Sequence, residues 1–235
     1  MKVGEKLIFL FKDAEGFGTA IADALQPNPN STMQRLEDSF DLSLERYDIK
    51  DRKASGNVVH FVDHGGQYQV TVLLMQIYEP PVLVCAINEV LASIIGESSS
   101  SLPMIVLPIM VAASKLKLER KYSKTSDKVS LYGMQIGPET EITQAIAAKT
   151  HKPPSSLQIH YEPLACFLQL VRVIRLPSFL LIGQSSDLGQ ELEMINEMGE
   201  LLTGISSLCF LRERITWNPT RTTKDGEEPW RALYG

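Results

Sequence analysis

Apolar residues cluster in this chain as short blocks, at positions 7–11, 58–62, 68–74, 104–110 and 179–182. Blocks of that size suit buried β-strands and fall far short of the ~20 consecutive apolar residues of a membrane-spanning helix. Stretches with helical spacing lie between and after them. Residues 19–25 and 141–149 read as short helices. Residues 163–173 read as a helix with Pro163 in its first turn, where a missing N–H costs nothing. The clearest helix carries Leu188, Leu192, Ile195, Met198 and Leu202 on one face, and Asp187 with Gln190 forms a capping-box-like start. Strands alternating with helices predict a layered α/β/α (Rossmann-like) single domain over residues 1–211. Residues 212–235, with Asn218-Pro219, Asp225-Gly226 and Pro229, read as a flexible C-terminal tail.

Several local readings complete the expectation. Residues 58–62 and 68–74 flank Gly65-Gly66 and predict a hairpin. Residues 26–57 are polar and read as a long excursion with one helix at 32–40. Residues 82–86 read as a buried strand, followed by a helix capped by Asn88 and running to Ile95. Because proline cannot donate to a ladder, Pro108 predicts that strand 104–110 lies at a sheet edge or stops before it. Residues 208–211 read as a last strand, and the Lys/Arg-rich stretch 114–128 reads as a solvated loop.

The charge balance argues against electrostatic binding to nucleic acid: the formal net charge is -5 and the sequence pI is ≈ 5.5. The cysteines Cys85, Cys166 and Cys209 are odd in number, lack CxxC spacing and sit among apolar neighbours. They read as buried thiols of a reducing compartment. The apolar patch at 7–11 is followed at once by Lys12 and Asp13, unlike a secretory signal, so cytoplasm or nucleus is expected.

Motifs for catalysis are incomplete. Gly16-Phe17-Gly18 occupies the place of a dinucleotide loop, but Ile21 stands where the third glycine belongs and no P-loop lysine follows. It reads as an ordinary tight strand–helix turn. His60 and His64 share one strand face, but Asp63 would point to the other, so no metal is expected. Cys166 sits within an apolar helix and reads as packing rather than a nucleophile. Ser185 and Ser186 resemble a helix cap and form no GxSxG elbow. No cofactor is implied. An α/β enzyme of nucleoside-handling or hydrolase type, with its site at the C-terminal ends of the strands, stands as the alternative reading.

The sequence closes on Leu233-Tyr234-Gly235. Hydrophobic residue, tyrosine, any residue and a free carboxylate is similar to the C-terminal motif of proteins that dock into the proteasome α-ring. With 44% hydrophobic residues and 7 Tyr, such an ending arises by chance in about one chain in a hundred. A second likeness accompanies it. Residues 159–168 and 174–181, a leucine-rich helix running into Pro177-Ser178 and a buried strand, resemble the C-terminal half of the proteasome assembly chaperone 1 family. Residues 81–86 and 103–107 resemble two earlier strands of that family. The likeness spans roughly residues 80–205, is weaker over the first 60, lacks the acidic N-terminal extension of vertebrate members, and is compatible with the plant branch.

The resemblance implies a non-enzymatic chaperone. It would pair with proteasome assembly chaperone 2, cap the α-ring of the forming core particle, promote ring assembly and block premature activator docking. Leu233, Tyr234 and Gly235 would enter a pocket between α-subunits, with Trp230 as a further tail anchor. Exposed apolar surface on the helix at 163–173 or on the one after Asp187 is the expected partner face.

Overall fold

The computed structural model describes residues 1–97, 102–112, 116–117, 130–154, 157–185 and 188–216. A seven-stranded sheet lies between two helical layers. Its strands are β1 (Lys6–Lys12), β3 (Gln34–Ser43), β4 (Lys53–Val62), β5 (Tyr68–Gln76), β6 (Met104–Ala112), β8 (Ser130–Ile136) and β10 (Ser178–Ser185). They lie in the order β3-β4-β5-β1-β6-β10-β8 across the sheet. The inner strands β5, β1, β6 and β10 are parallel; β3 and β4 extend one side as an antiparallel meander, and β8 closes the other edge antiparallel to β10.

Strict alternation along β1 sets the layers. Leu7, Phe9 and Phe11 face one core with α2 (Val82–Glu97) and α4 (Glu162–Val173). Ile8 and Leu10 face the other, with α1 (Phe17–Ala24), α3 (Glu141–Ala147) and α5 (Leu188–Ser206). A strand buried on both faces must be apolar at every position, which is why 7–11 shows no alternation in sequence. The short strand β2 (Leu25–Pro27) pairs antiparallel with β11 (Leu208–Phe210), and β7 (Leu116–Lys117) pairs with β9 (Gln158–Ile159). Beyond β11, Arg212–Arg214 makes a 3-10 turn and Ile215 packs on the α1/α5 core.

The layered α/β/α expectation holds, and three local readings do not. Residues 82–86 are the start of helix α2, not a strand, and Asn88 lies inside that helix, where its Nδ2 donates to Tyr47 Oη at 2.8 Å. A short apolar run fits a helix that packs on both the sheet and α4 as well as it fits a strand. The expected helix at 32–40 is instead β3, paired along its whole length with β4. Pairing with a distant strand overrides its local pattern, and Arg35, Glu37, Asp38 and Asp41 keep this edge charged against further pairing. Finally, β6 lies in the sheet interior and continues past Pro108 to Ala112.

The β4–β5 hairpin forms as expected, around a turn organised by Asp63. Its Oδ1 accepts from Gly65 N and Gln67 N and its Oδ2 from Gln69 Nε2. His60 is buried, stacks on Tyr68 at 4.5 Å and shares a 3.0 Å hydrogen bond with the Thr71 hydroxyl. Burial holds its imidazole below the ordinary value, a shift that Asp38 partly offsets. In the interval below about pH 6.5 the unfolded chain then binds the proton more readily than the folded one. His60 therefore adds stability that is present above that pH and lost as pH falls toward its folded-state value. Thermal unfolding between pH 7.5 and 5.5 should cost the native protein more than His60→Gln; equal losses would show that His60 contributes nothing to the pH dependence.

Candidate functional site

Taken in chain order, the four parallel strands lie second-first-third-fourth across the sheet, so the winding direction reverses between β1 and β6. In open α/β sheets, ligands bind at that reversal, outside the C-terminal strand ends. Here the two strands part. They pair at Lys6↔Met104, Leu7↔Ile105 and Ile8↔Val106 only, whereas β6 stays paired with β10 through Ala112 and β1 with β5 through Gln76. Met104 N–H donates to Glu5 O on the β1 side and Ile105 N–H to Pro177 O on the β10 side. By that alternation Pro108 turns its missing N–H toward β1, where no partner remains. The physical rule behind the edge expectation is thus met locally: Pro108 stands on an internal edge.

The parting opens a crevice of about 250 Å³. Phe11, Phe17, Ile77, Pro108, Met110 and Tyr161 wall it, and Asp13 and Glu15 lie on its loop side. The loop folds around two glycines for different reasons. Gly16 adopts φ 83, and Gly18 packs so close to β1 that a Cβ would lie 2.0 Å from Phe11 O. Asp13 reaches over the start of α1: Phe17 N–H donates to its Oδ1 at 3.0 Å and Gly18 N–H to its Oδ2 at 2.9 Å. The position that receives a phosphate in a dinucleotide-binding fold is filled by the chain's own carboxylate. The Tyr161 ring meets Phe11 edge-on at 6.4 Å. Burial first, then Asp13 and Glu15, hold the Tyr161 phenol above its ordinary range.

A larger cavity of about 840 Å³ lies between β8, β10, α4 and the 147–159 segment. Met134, Leu164, Leu168, Leu180 and Ile182 make it apolar, and Lys152 is the one charged residue among its described lining.

The sequence-derived candidates distribute as follows. Leu233, Tyr234, Gly235 and Trp230 lie outside the described residues, as do Ser186, Asp187 and most of the basic stretch 114–128. Exposed apolar side chains are present on both helices singled out as a partner face: Val173, 79% exposed at the end of α4, and Leu192 on α5. Val84 on α2 adds a third. His60 and Asp63 serve the hairpin, and no group of three or more His, Cys, Asp and Glu side chains placed to hold a metal occurs among the described residues. Cys166 is half-buried on α4, its thiol pushed up by burial and then by Glu162, the opposite of an activated nucleophile. Among the described residues no helix is long and apolar enough to cross a membrane.

Sequence reading missed Asp13, Glu15 and Tyr161. The available signal was an aspartate three residues before Gly16, at a strand–helix turn where glycines clear space for an anion.

Comparison with solved structures finds the same fold elsewhere. Pyrococcus furiosus PbaA, described as an archaeal homolog of proteasome-assembly chaperone, superposes with TM-score 0.53 and 12% identity, covering 92% of this chain and 83% of that one. Pyrococcus furiosus PbaB, described as an archaeal proteasome activator, gives 0.54 and 8% over 91% and 88% of the two chains. A Thermoplasma acidophilum protein of unknown function gives 0.56 and 11% over 91% and 82%. No curated protein matches the sequence. The model of the domain of unknown function DUF7894 matches residues 1–235. By that match over its whole length the chain belongs to the DUF7894 family, carried on a layered α/β/α fold that PbaA and PbaB share.

Proposed function

We propose that this protein is a non-enzymatic proteasome-assembly chaperone of the assembly chaperone 1 type, acting in the cytoplasm or nucleus. It pairs with a second related chaperone, caps the α-ring of the forming core particle and delays activator docking. The observation that carries this reading is the shared fold, spanning nine-tenths of this chain, with a protein described as a homolog of proteasome-assembly chaperone and with one described as a proteasome activator. The Leu233-Tyr234-Gly235 ending supports it. So does the α1 N-terminus closed by Asp13, which leaves no empty anion seat for a nucleotide phosphate.

In this proposal Tyr234 buries its ring between two α-subunits, the Gly235 carboxylate meets a pocket lysine and Leu233 adds apolar contact. Burying an aromatic ring removes ~150–250 Å², worth ~4–6 kcal/mol gross at ~25 cal/mol/Å². Ordering the tail costs ~1–2 kcal/mol per residue, so a free tail peptide binds weakly. The folded body, docked alongside, supplies the effective concentration that makes the tail an anchor.

The test is affinity capture from cell extract with the intact chain and with a chain lacking residues 233–235, read by mass spectrometry. Intact chain should recover α-subunits and one related chaperone. Truncation should lower the α-subunits at least tenfold, keep the chaperone and leave the unfolding temperature unchanged. Recovery of no proteasome subunit by either bait would overturn the reading.

A further inference from the structure

We propose that the crevice between β1 and β6 binds a small organic cation with an apolar stem: an alkylammonium, presented by a lysine side chain or by a free polyamine. This does not depend on the proteasome reading.

Charge is the first argument. A helix N-terminus ordinarily attracts anions. Here both Asp13 carboxylate oxygens already accept from Phe17 and Gly18, so a second anion would meet a carboxylate instead of free N–H groups. Glu15 adds another negative charge to the same loop, and no Lys, Arg or His appears among the described residues lining the crevice. Tyr161 lies within reach of both charges: after burial, Asp13 and Glu15 hold its phenol protonated. The two carboxylates that disfavour a phenolate favour an ammonium, whereas burial disfavours either charged form, so the ammonium head belongs on the loop side, beside Asp13 and Glu15.

The walls supply the second argument. Phe11, Phe17 and Tyr161 present aromatic surface, and Ile77, Pro108 and Met110 aliphatic surface. Methylene groups gain from both kinds of wall, and an ammonium gains further over an aromatic face. Size is the third. About 250 Å³ lies below the ~300–1,000 Å³ of pockets for drug-sized ligands. That size suits a short alkyl stem whose head stays toward solvent.

The full chain, isotopically labelled, would be titrated with n-butylammonium, 1-pentanol, pentanoate and inorganic phosphate at constant ionic strength, with backbone amide shifts as the readout. Butylammonium should give saturable shifts at Ala14, Gly16, Phe17 and Met110. Pentanol should bind at least threefold more weakly, and pentanoate and phosphate should not bind there. Glu15→Gln, on an exposed side chain, should weaken butylammonium about two- to fivefold without changing pentanol binding or the unfolding temperature. Ala14→Trp, also on an exposed side chain, should block the crevice to both ligands. N-acetyl-lysine methylamide and spermidine then separate the sources: preference for the first points to a protein lysine, preference for the second to a free polyamine, and both support a cation site. Pentanoate or phosphate binding as well as butylammonium, or no saturable shift with any amine, would overturn the proposal.

Discussion

Gly18→Ala should destabilise the protein by about 3 kcal/mol or more, although alanine is the better helix former by ~0.8–1.0 kcal/mol. Propensity and packing predict opposite signs at this position. Gly18 is the second residue of α1, and a Cβ there would lie 2.0 Å from Phe11 O and 3.0 Å from a methyl of Leu74. The first obstacle is backbone of a central strand, so no side chain can rotate away. The helix must lift from β1, loosening Ile21 and Leu25 from the core and disturbing the Gly18 N–H bond to Asp13. Gly16 makes the contrast. A methyl group there would meet nothing within 4 Å, but the residue has a φ of +83, so Gly16→Ala should cost only the left-handed strain of ~1–2 kcal/mol. Urea unfolding of both variants measures this directly. A Gly18→Ala protein as stable as the native one would mean that α1 does not sit this close to β1.

Phe167→Ala should cost about 3–5 kcal/mol, the range for removing a large aromatic from a closed core. Phe167 is fully buried on α4, with its ring 4.8 Å from Phe9 and 6.5 Å, edge-on, from Phe11. It is a contact through which α4 grips the central strand, and β1 cannot collapse into the vacated space because β5 holds it by pairing from Lys6 through Lys12. At ~2–4 °C per kcal/mol for a chain of this size, the unfolding temperature should fall by about 6–20 °C. Phe167→Leu should recover most of that loss, since it refills the volume with apolar atoms. The effect should also reach the crevice, because Phe11 lies between Phe167 and Tyr161. A fall of less than about 1 kcal/mol in Phe167→Ala would show that α4 is held from elsewhere.

The alternation of strands and helices was legible in the sequence because blocks of apolar residues and their spacing are local facts. The core strands at 7–11 and 179–182, the hairpin around Gly65-Gly66 and the helices at 163–173 and after Asp187 follow from which residues can face a core and which can turn. Elements whose identity depends on distant partners did not follow. Residues 34–43 became a strand because β4 offered an edge, and residues 82–97 became a helix because the sheet and α4 enclose it from two sides. The crevice was hidden for the same reason. Asp13, Pro108 and Tyr161 are far apart in the chain, and only the parting of β1 from β6 brings a capping carboxylate, an internal proline and a half-buried phenol together around one acid-lined crevice. The Leu233-Tyr234-Gly235 ending proposed as a docking motif is the opposite case: three adjacent residues carry the likeness in sequence, with no fold needed to read it. Sequence alone determined what could be buried and where the chain could turn; tertiary structure decided which buried surfaces met, because strand pairing and layer packing are energies between segments that no single segment contains.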